Sequence, residues 1–271
     1  MITRGHLQPN IKSKIIEHGY INVYSELTKE EKRQLYYNRE YKKLSPLWDN
    51  SLILMSNYFE KTRNLLGKRK IRVLDAGCGN GNYVIDERRS KIAFAAGVDI
   101  DQSATRNNVC LDEIKFSNLE KISYPDNSFD IVLSLWVIEH LSNPEKVFRE
   151  IKRVLKPGGF LLFCTSNKNY LPVRLKRYIG DQKLREWLIS KLYGRKVQDI
   201  FDTPYLANDV SNLQTILTDT GYDEIDLHLN YDPGYTSFNS LSFSISNLLN
   251  QYFPHLFKPH LIGRGRKKPR K

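Results

Sequence analysis

A glycine-rich turn preceded by a carboxylate is the segment of this sequence best suited to hold a ligand. The residues from Val73 to Tyr83 read VLDAGCGNGNY, which predicts a buried strand, a tight turn and the start of a helix. Glycine at every second position permits positive φ angles and lets a ligand approach the backbone closely. A dinucleotide-binding turn would carry glycine where this chain has Asn82. We therefore expect a different nucleotide-type cofactor at the carboxyl end of the first strand.

Polar residues also follow two later segments in an order that suits such a cofactor. The segment Gly97–Asp101 predicts a second strand that ends in an acid. Asp99 lies at about the separation from the glycine turn at which a ribose-binding carboxylate is expected. A carboxylate can accept two hydrogen bonds from a ribose diol. Asn118 lies in a third segment, Phe116–Ile122.

Four motifs stand in order between about residues 70 and 167: the glycine turn, GVDID at 97–101, YPDNSFDIVLSLW at 124–136 and RVLKPGG at 153–159. Together they resemble class I S-adenosylmethionine (SAM) dependent methyltransferases, of the type 11/12-like group found in bacterial glycan and metabolite gene clusters. The resemblance implies an α/β, Rossmann-like fold with a seven-stranded, mostly parallel sheet flanked by helices. It also implies SAM as the cofactor.

The resemblance gives each motif a part in holding SAM. The glycine turn would meet the methionine and ribose, Asp99 the ribose hydroxyls, and the third segment the adenine. The end of the fourth strand would border the methyl-transfer zone. The expected cofactor-binding residues are Asp75, Gly77, Gly79, Gly81, Asp99, Ile100, Asn118, Leu119, Leu135 and Trp136.

The sulfonium of SAM is an excellent leaving group, so positioning supplies much of the rate and few catalytic side chains are obligatory. A hydroxyl acceptor needs a base, and His140 is the candidate because imidazole titrates near neutral pH. A structural histidine after the fourth strand is the alternative. No complete set of metal ligands is recognisable, so no metal is expected.

The residues after the fourth strand narrow the possible classes of methyl acceptor. Enzymes that methylate amino groups of adenine or glutamine usually carry Asn/Asp-Pro-Pro-aromatic there, whereas residues 135–138 read LWVI. The Pro-Cys pair of cytosine-C5 enzymes is also missing from the sequence. We expect O-methylation of a small molecule or of a glycan- or lipid-linked intermediate. The alternatives are an RNA- or protein-modifying methyltransferase and a non-catalytic SAM-fold binding protein, against which the intact glycine turn argues.

Composition bounds the organisation of the chain. Its 271 residues predict one domain with elaborations: a helical leader over 1–66 and the methyltransferase domain over 67–271. Three unclustered cysteines and the lack of a signal-peptide pattern or a membrane-spanning run favour a cytoplasmic protein, with peripheral membrane binding as an option.

The net charge of +12 is concentrated in two segments. Residues 168–198 and the tail 258–271 each carry +7, which leaves −2 for the remainder. Concentrated positive charge attracts an anionic membrane or a polyanion, nucleic acid included; a solvated surface is the alternative. Residues 260–262 could form a closing strand, but if the rest of the tail is free, deleting Arg264–Lys271 should barely change stability.

Two further segments are expected to elaborate the domain. Residues 166–210 are long enough to form a lid over the substrate. Residues 236–257 contain no Asp, Glu, Lys or Arg and predict an amphipathic helix. That helix could pack on the domain, lie on a membrane or form a dimer face.

Overall fold

A seven-stranded sheet forms the centre of the computed structural model, which describes residues 29–67, 69–106, 108–176 and 203–269. The strands are β1 (Ile71–Ala76), β2 (Ile92–Asp99), β3 (Glu113–Phe116), β4 (Phe129–Leu135), β5 (Leu155–Ser166), β6 (Tyr222–Asn230) and β7 (His260–Lys267). Their order is β3-β2-β1-β4-β5-β7-β6, and β7 runs antiparallel to both of its neighbours. The predicted fold class is confirmed.

Helices flank both faces of this sheet. They are α1 (Lys29–Leu44), α2 (Ser51–Leu65), α3 (Tyr83–Arg88), α4 (Pro144–Val154), α5 (Leu171–Lys176), α6 (Val210–Asp219), α7 (Ser240–Tyr252) and α8 (Pro254–Phe257). Short polar side chains begin several of them, since Asn143 accepts from the Lys146 amide at 3.2 Å and Asp209 from the Asn212 amide at 2.8 Å.

Two apolar layers bury the sheet. One lies on the α4 and α6 side, where Phe148, Ile151 and Leu213 pack. The other lies on the α2 and α3 side and includes Met55 and Phe59, which are fully buried. Helix α2 thus completes the core although it belongs to the predicted leader. From β1 the chain adds β2 and β3 on one side of the sheet, and it then returns to add β4 and β5 on the other side. The strand order therefore reverses between β1 and β4, which is the position where α/β folds bind ligands.

The basic C-terminal segment is a sheet strand from His260 to Lys267, so the expectation of a free tail after Gly263 is wrong for its described part. Strand β7 inserts between β5 and β6. Its cations are engaged there: Arg266 pairs with Glu224 at 2.5 Å, and Lys267 Nζ donates to the Leu155 carbonyl at 2.6 Å. The sequence did not reveal the full extent of this strand, because the carboxylates that pair with its cations lie about forty residues earlier, on β6.

Glycine lets β7 fit between its neighbours. A Cβ at Gly263 would lie 2.4 Å from Phe163 Cζ and 2.5 Å from Leu227 Cδ2, closer than side-chain carbons approach. The apolar side chains of β5 and β6 therefore meet over the bare backbone of β7. The alternating glycine and arginine residues at 263–266 thus belong to a strand, in which Gly263 serves packing.

The long insertion is described only at its two ends. Helix α5 follows β5, and residues 203–209 lead into α6. This second end is fixed to the sheet, because Asn208 donates to Thr165 Oγ1 at 2.6 Å. Residues 177–202, with most of the basic charge of the insertion, lie outside the described residues, and the lid stays a prediction.

Helix α7 packs on the leader with one face and exposes the other. Phe243 stacks on Tyr37 of α1 with ring centroids 5.2 Å apart. The exposed apolar side chains are Leu241, Ile245, Leu248 and Tyr252. Packing on the domain thus accounts for one face, and the membrane and dimer interpretations of the other stay predictions. No helix among the described residues is long and apolar enough to cross a membrane.

Candidate cofactor and acceptor site

The glycine turn after β1 leaves open space beside one of its glycines. Gly77, Gly79 and Gly81 have φ angles of 80°, 38° and 139°. A Cβ at Gly77 would lie 2.3 Å from Val137 Cγ2, whereas a Cβ at Gly79 would have nothing within 4 Å. Gly77 is therefore needed for packing against the segment after β4. Gly79 instead presents bare backbone to a space that a ligand can fill.

Asp75 stands at the end of β1 with one oxygen unsatisfied. The side chain is 1% exposed; Oδ1 accepts from Asn82 Nδ2 at 2.9 Å, and the buried Oδ2 has no hydrogen-bond partner. Burial, which dominates over the Asn82 hydrogen bond, raises the pKa of Asp75 to about 8. A buried, unsatisfied oxygen needs a hydrogen-bond donor. A donor that carries a positive charge would also favour the ionised form of the carboxyl.

Asn82 is a residue whose contribution the sequence did not reveal. Its Oδ1 accepts from the Val84 amide at 3.1 Å and caps α3, while its Nδ2 holds Asp75. The same residue that breaks the dinucleotide pattern thus ties the turn to both β1 and α3. The signal was its position just before the helix, where asparagine is a preferred cap.

Asp99 shapes the glycine turn directly. Its Oδ2 accepts from the Gly79 amide at 2.8 Å, and its Oδ1 accepts from the Asp101 amide at 2.9 Å. Each carboxylate oxygen can accept a second hydrogen bond, so a ribose diol could still bind. The neighbouring Ile100 is 76% exposed at the same edge. The structure brings these residues together with the turn, and their contacts to ribose stay a prediction.

Asn118 and Leu119 follow β3 but differ in environment. Asn118 is exposed, and its Oδ1 accepts from the Glu120 amide at 2.8 Å within a local turn. Leu119 is buried among core residues that include Ala76 and Val98. Its side chain therefore offers little surface to an adenine ring. The adenine contacts of both residues stay predictions.

The end of β4 is the most constrained part of the site. Trp136 has a φ of 61°, which is uncommon for a bulky residue, and its amide donates to the Cys164 carbonyl at 2.8 Å. Backbone strain of this kind is found preferentially at functional sites. Leu135 and Val137 flank it, half-buried. Val137 contacts the turn at Gly77, so the β1 and β4 ends are in direct contact.

His140 ends a 3-10 turn over Ile138–His140 that follows Trp136 and Val137. The preceding Glu139 is 4% exposed and accepts from Thr165 Oγ1 at 2.6 Å and Ser166 Oγ at 2.9 Å. That carboxylate therefore joins the segment after β4 to the end of β5. His140 is half-buried beside it, and its catalytic role stays a prediction.

A second histidine, His260, meets the end of β4 from the other side. Its ring lies 4.7 Å from Trp136 and 5.0 Å from Tyr235, edge to face in both cases. Its Nδ1 is 2.8 Å from Ser51 Oγ. Sequence reasoning placed His260 at the start of a closing strand without a role. Only the pairing of β5 with antiparallel β7, which sets Ser166 opposite His260, brings it to the edge where β4 ends.

In the part of the chain that the structure describes, no group of three or more His, Cys, Asp or Glu residues is placed to hold a metal ion. Cys78, Cys110 and Cys164 are free thiols. The site is thus a glycine-lined space beside Asp75 and Asp99, with a strained aromatic segment at the end of β4.

Known proteins share this arrangement. Residues 74–163, which span β1 to β5, match the family described as "Methyltransferase domain". This third of the chain is therefore similar to a methyltransferase domain. The match begins just before Asp75 and ends in β5, so it includes the glycine turn, Asp99 and Trp136.

Proteins that are similar to this part of the chain are named for quinone biosynthesis. The "Ubiquinone biosynthesis O-methyltransferase" of Neisseria meningitidis is 34% identical over 125 residues, which cover 43% of this chain and 51% of that protein. A protein of the same name from Vibrio atlanticus is 27% identical over 147 residues, covering 51% and 60%. A "Ubiquinone/menaquinone biosynthesis C-methyltransferase" of Neisseria meningitidis is 28% identical over 122 residues, covering 42% and 48%. The matches span about half the length of these relatives.

Solved structures agree on the fold of the domain. A chain of the complex between the Haloferax volcanii Trm112 methyltransferase activator and a methyltransferase superposes with a TM-score of 0.54 and 16% identity, covering 90% of this chain and 99% of that one. The [4+2]-cyclase SpnF superposes with a TM-score of 0.50 and 15% identity, covering 90% and 98%. Since a cyclase shares the fold, the reaction must be argued from the site.

SAM fits the residues of this site on three observations. The space beside Gly79 admits a ligand against bare backbone. The unsatisfied Oδ2 of Asp75 suits a cationic amino group. Asp99 keeps acceptor capacity for hydroxyls while it fixes the Gly79 amide. The residues that would hold SAM are therefore those of the turn and of the β1, β2 and β4 ends.

Proposed function

We propose that this methyltransferase domain transfers the methyl group of SAM to an oxygen atom of a small molecule or of a glycan- or lipid-linked intermediate. The observation that carries the proposal is the open space at Gly79, whose amide is held by Asp99, in a turn that follows the unsatisfied Asp75 carboxylate. Bound SAM supplies an activated methyl group. The protein supplies the position and orientation of the two reactants, from which much of the rate comes.

Oxygen is the favoured acceptor atom for two reasons. The segment after β4 lacks the Asn/Asp-Pro-Pro-aromatic sequence typical of amino-group methylation. Two of the three relatives described above are named O-methyltransferases, with one at 34% identity. The C-methyltransferase relative, at 28% identity, keeps carbon as the second candidate.

Macromolecular acceptors lose part of their support. An RNA- or protein-modifying function was motivated by the basic insertion and the basic tail. In the described part of the tail, Arg264, Arg266 and Lys268 lie within 4 Å of Asp226, Glu224 and Asp223 of β6. These cations complete the sheet rather than form a separate polyanion-binding segment. A non-catalytic binding protein is disfavoured by the intact turn.

A location at a membrane surface is supported by α7. Its exposed apolar face begins at Leu241, a few residues after Tyr235, and Tyr235 contacts His260 beside the end of β4. A lipid-linked acceptor could thus reach the site along this helix. Leu241→Ser with Ile245→Ser should lower binding to phosphatidylcholine–phosphatidylglycerol vesicles, whereas the exposed Ser244→Thr should not. Unchanged vesicle binding by the double variant would remove this support.

Two measurements test the proposed reaction. Calorimetry should show stoichiometric SAM binding by the full chain. Radiolabel from [methyl-³H]SAM should then pass to alcohols or phenols, but not to amines or RNA, in a panel of simple acceptors. SAM binding with label transferred only to amines or RNA would refute O-methylation. Absence of SAM binding would refute the cofactor assignment itself.

A further inference from the structure

We propose that Asn108, in the loop between β2 and β3, is a positioning residue that holds the cofactor turn in the shape that receives SAM. The proposal rests on SAM as the cofactor of the proposed function, and it adds a residue that the four sequence motifs do not contain. The Nδ2 atom of Asn108 donates to the Cys78 carbonyl at 3.2 Å and to the Gly79 carbonyl at 3.1 Å. Both carbonyls belong to the turn that has open space beside Gly79.

The loop that carries Asn108 is short, and its backbone is fixed. Its described residues form turns and irregular structure, whereas the connections from β1 to β2 and from β4 to β5 contain the helices α3 and α4. The Asn108 amide donates to the Thr105 carbonyl at 3.0 Å, and the Asp112 amide donates to the Ala95 carbonyl of β2 at 2.7 Å. Because the loop is attached in this way, the Asn108 side chain is held at a defined distance from the turn.

The partners of Asn108 determine which way its carboxamide faces. A carbonyl oxygen can only accept a hydrogen bond, so the NH₂ group and not Oδ1 must face Cys78 and Gly79. The Oδ1 atom is buried and has no hydrogen-bond partner among the described residues. Asn108 therefore holds the turn by donation alone. An aspartate of the same size would instead place a carboxylate oxygen against two carbonyl oxygens.

The peptide group between Cys78 and Gly79 is held at both of its ends. Its carbonyl accepts from Asn108 Nδ2 and from the Gly81 amide at 3.1 Å, and its N–H donates to Asp99 Oδ2 at 2.8 Å. The C=O and N–H of a planar trans peptide point in opposite directions, so a rotation of this group breaks the bonds at both ends. Asp99 and Asn108 thus fix the same peptide from its two sides.

The glycines of the turn explain why such fixation matters. Gly77, Gly79 and Gly81 all have positive φ angles, and glycine loses more conformational freedom on folding than any other residue. Hydrogen bonds from Asp99 and Asn108 order the turn before a ligand arrives. A site that is already ordered binds more tightly, because less freedom is lost on binding. Asn108 therefore raises the affinity for SAM through the turn, and the effect needs no contact with SAM itself.

Calorimetric titration of the full chain with SAM tests this role. Asn108→Ala removes both donated hydrogen bonds, and we expect the affinity for SAM to fall about 10-fold. Asn108→Asp keeps the size of the side chain but repels both carbonyls, and we expect a fall of about 100-fold. Thermal melts should show that Tm falls by less than about 8 °C in either variant, so both are folded during the titration.

Two control variants separate this role from a general loss of stability. Gln102→Ala shortens an exposed side chain of the same loop. Ser128→Ala removes the hydrogen bond from Ser128 Oγ to the Pro125 carbonyl, 2.7 Å long, at the amino end of β4 and away from the turn. Neither substitution should change the affinity for SAM. Wild-type affinity in both Asn108 variants, or an equal loss in Ser128→Ala, would overturn the proposal.

A double-mutant cycle tests whether Asp99 and Asn108 act on the same peptide. Once one end of the peptide is released, releasing the other end should cost less. The variant with both Asp99→Ala and Asn108→Ala should therefore lose at least about 3-fold less affinity than the product of the two single losses. Losses that simply multiply would refute the shared action on the turn.

Amide hydrogen exchange gives a measurement that does not depend on SAM. In ¹⁵N-labelled protein without ligand, the Gly79 and Gly81 amides should exchange about 10-fold faster in Asn108→Ala than in wild type, and at the wild-type rate in Gln102→Ala. Unchanged exchange in Asn108→Ala would show that Asn108 does not order the turn. If exchange accelerates as expected but the wild-type protein binds no SAM, the cofactor of the proposed function is wrong, while the action of Asn108 on the turn stands.

Discussion

Substitutions at the two glycines of the cofactor turn should have different consequences. Gly79→Ala and Gly79→Val both place an L side chain at a φ of 38°. That backbone conformation costs about 1–2 kcal/mol for a residue with a Cβ. A loss of 1 kcal/mol lowers Tm by about 2–4 °C in a domain of this size class, so we expect Tm to fall by roughly 2–8 °C. Neither side chain meets protein atoms within 4 Å of the new Cβ.

The two variants at Gly79 differ in what they add to the open space. Valine projects two further methyl groups where we place SAM, and we expect its affinity for SAM to fall at least about 100-fold, or 2.7 kcal/mol. The Gly79→Ala variant has a similar backbone cost, but its affinity for SAM should fall far less. Gly77→Ala instead drives a Cβ to within 2.3 Å of Val137 and adds about 1–3 kcal/mol of overpacking to its backbone cost.

Calorimetric titration with SAM and thermal melts by circular dichroism measure these effects separately. The expected order of stability is wild type, then the Gly79 variants, then Gly77→Ala. The expected order of SAM affinity places Gly79→Val last among the folded proteins. Gly79→Val binding SAM as tightly as wild type would refute the placement of the cofactor beside this turn.

Three further outcomes follow from the same structure. Asp99→Ala removes the acceptor of the Gly79 and Asp101 amides, and losing charged hydrogen bonds worth about 1.5–3 kcal/mol should weaken SAM binding by about 10- to 150-fold in calorimetry. Burial raises the pKa of Asp75 to about 8, so the folded protein keeps a proton that the unfolded chain releases above about pH 4. The free energy of unfolding therefore falls as the pH rises from about 4 to about 8. Asp75→Asn should flatten that decline in Tm against pH, and a parallel curve would contradict the assignment. Deleting residues 264–271 removes four residues of β7, which make six cross-strand pairings, and should abolish soluble expression or lower Tm by more than about 10 °C, whereas deleting 268–271 should leave Tm nearly unchanged.

Local sequence was sufficient for the parts of the site that neighbouring residues build. The turn from Asp75 to Gly81 lies where its glycine spacing predicted, because positive φ angles are a property of a few adjacent residues. Strand β6 spans Tyr222–Asn230, and α6 begins after Asp209, its cap. Helix α4 ends at Val154, because β5 already pairs from Leu155. Short-range signals thus fixed most element types, with boundaries shifted by strand pairing.

The tertiary structure alone decided the environment of the C-terminal residues and of the acceptor side. In the sequence, residues 258–271 appear as a charged tail, since the partners of β7 lie on β5 and β6, roughly 40 to 110 residues away. The same insertion carries His260 to the end of β4 and next to Ser51, 209 positions earlier in the chain. Contacts of this range depend on how strands pair and on which side chains glycine allows to meet, as at Gly263. The cofactor turn is a local property of the sequence, whereas the imidazole beside Trp136 exists only because the sheet closes as it does.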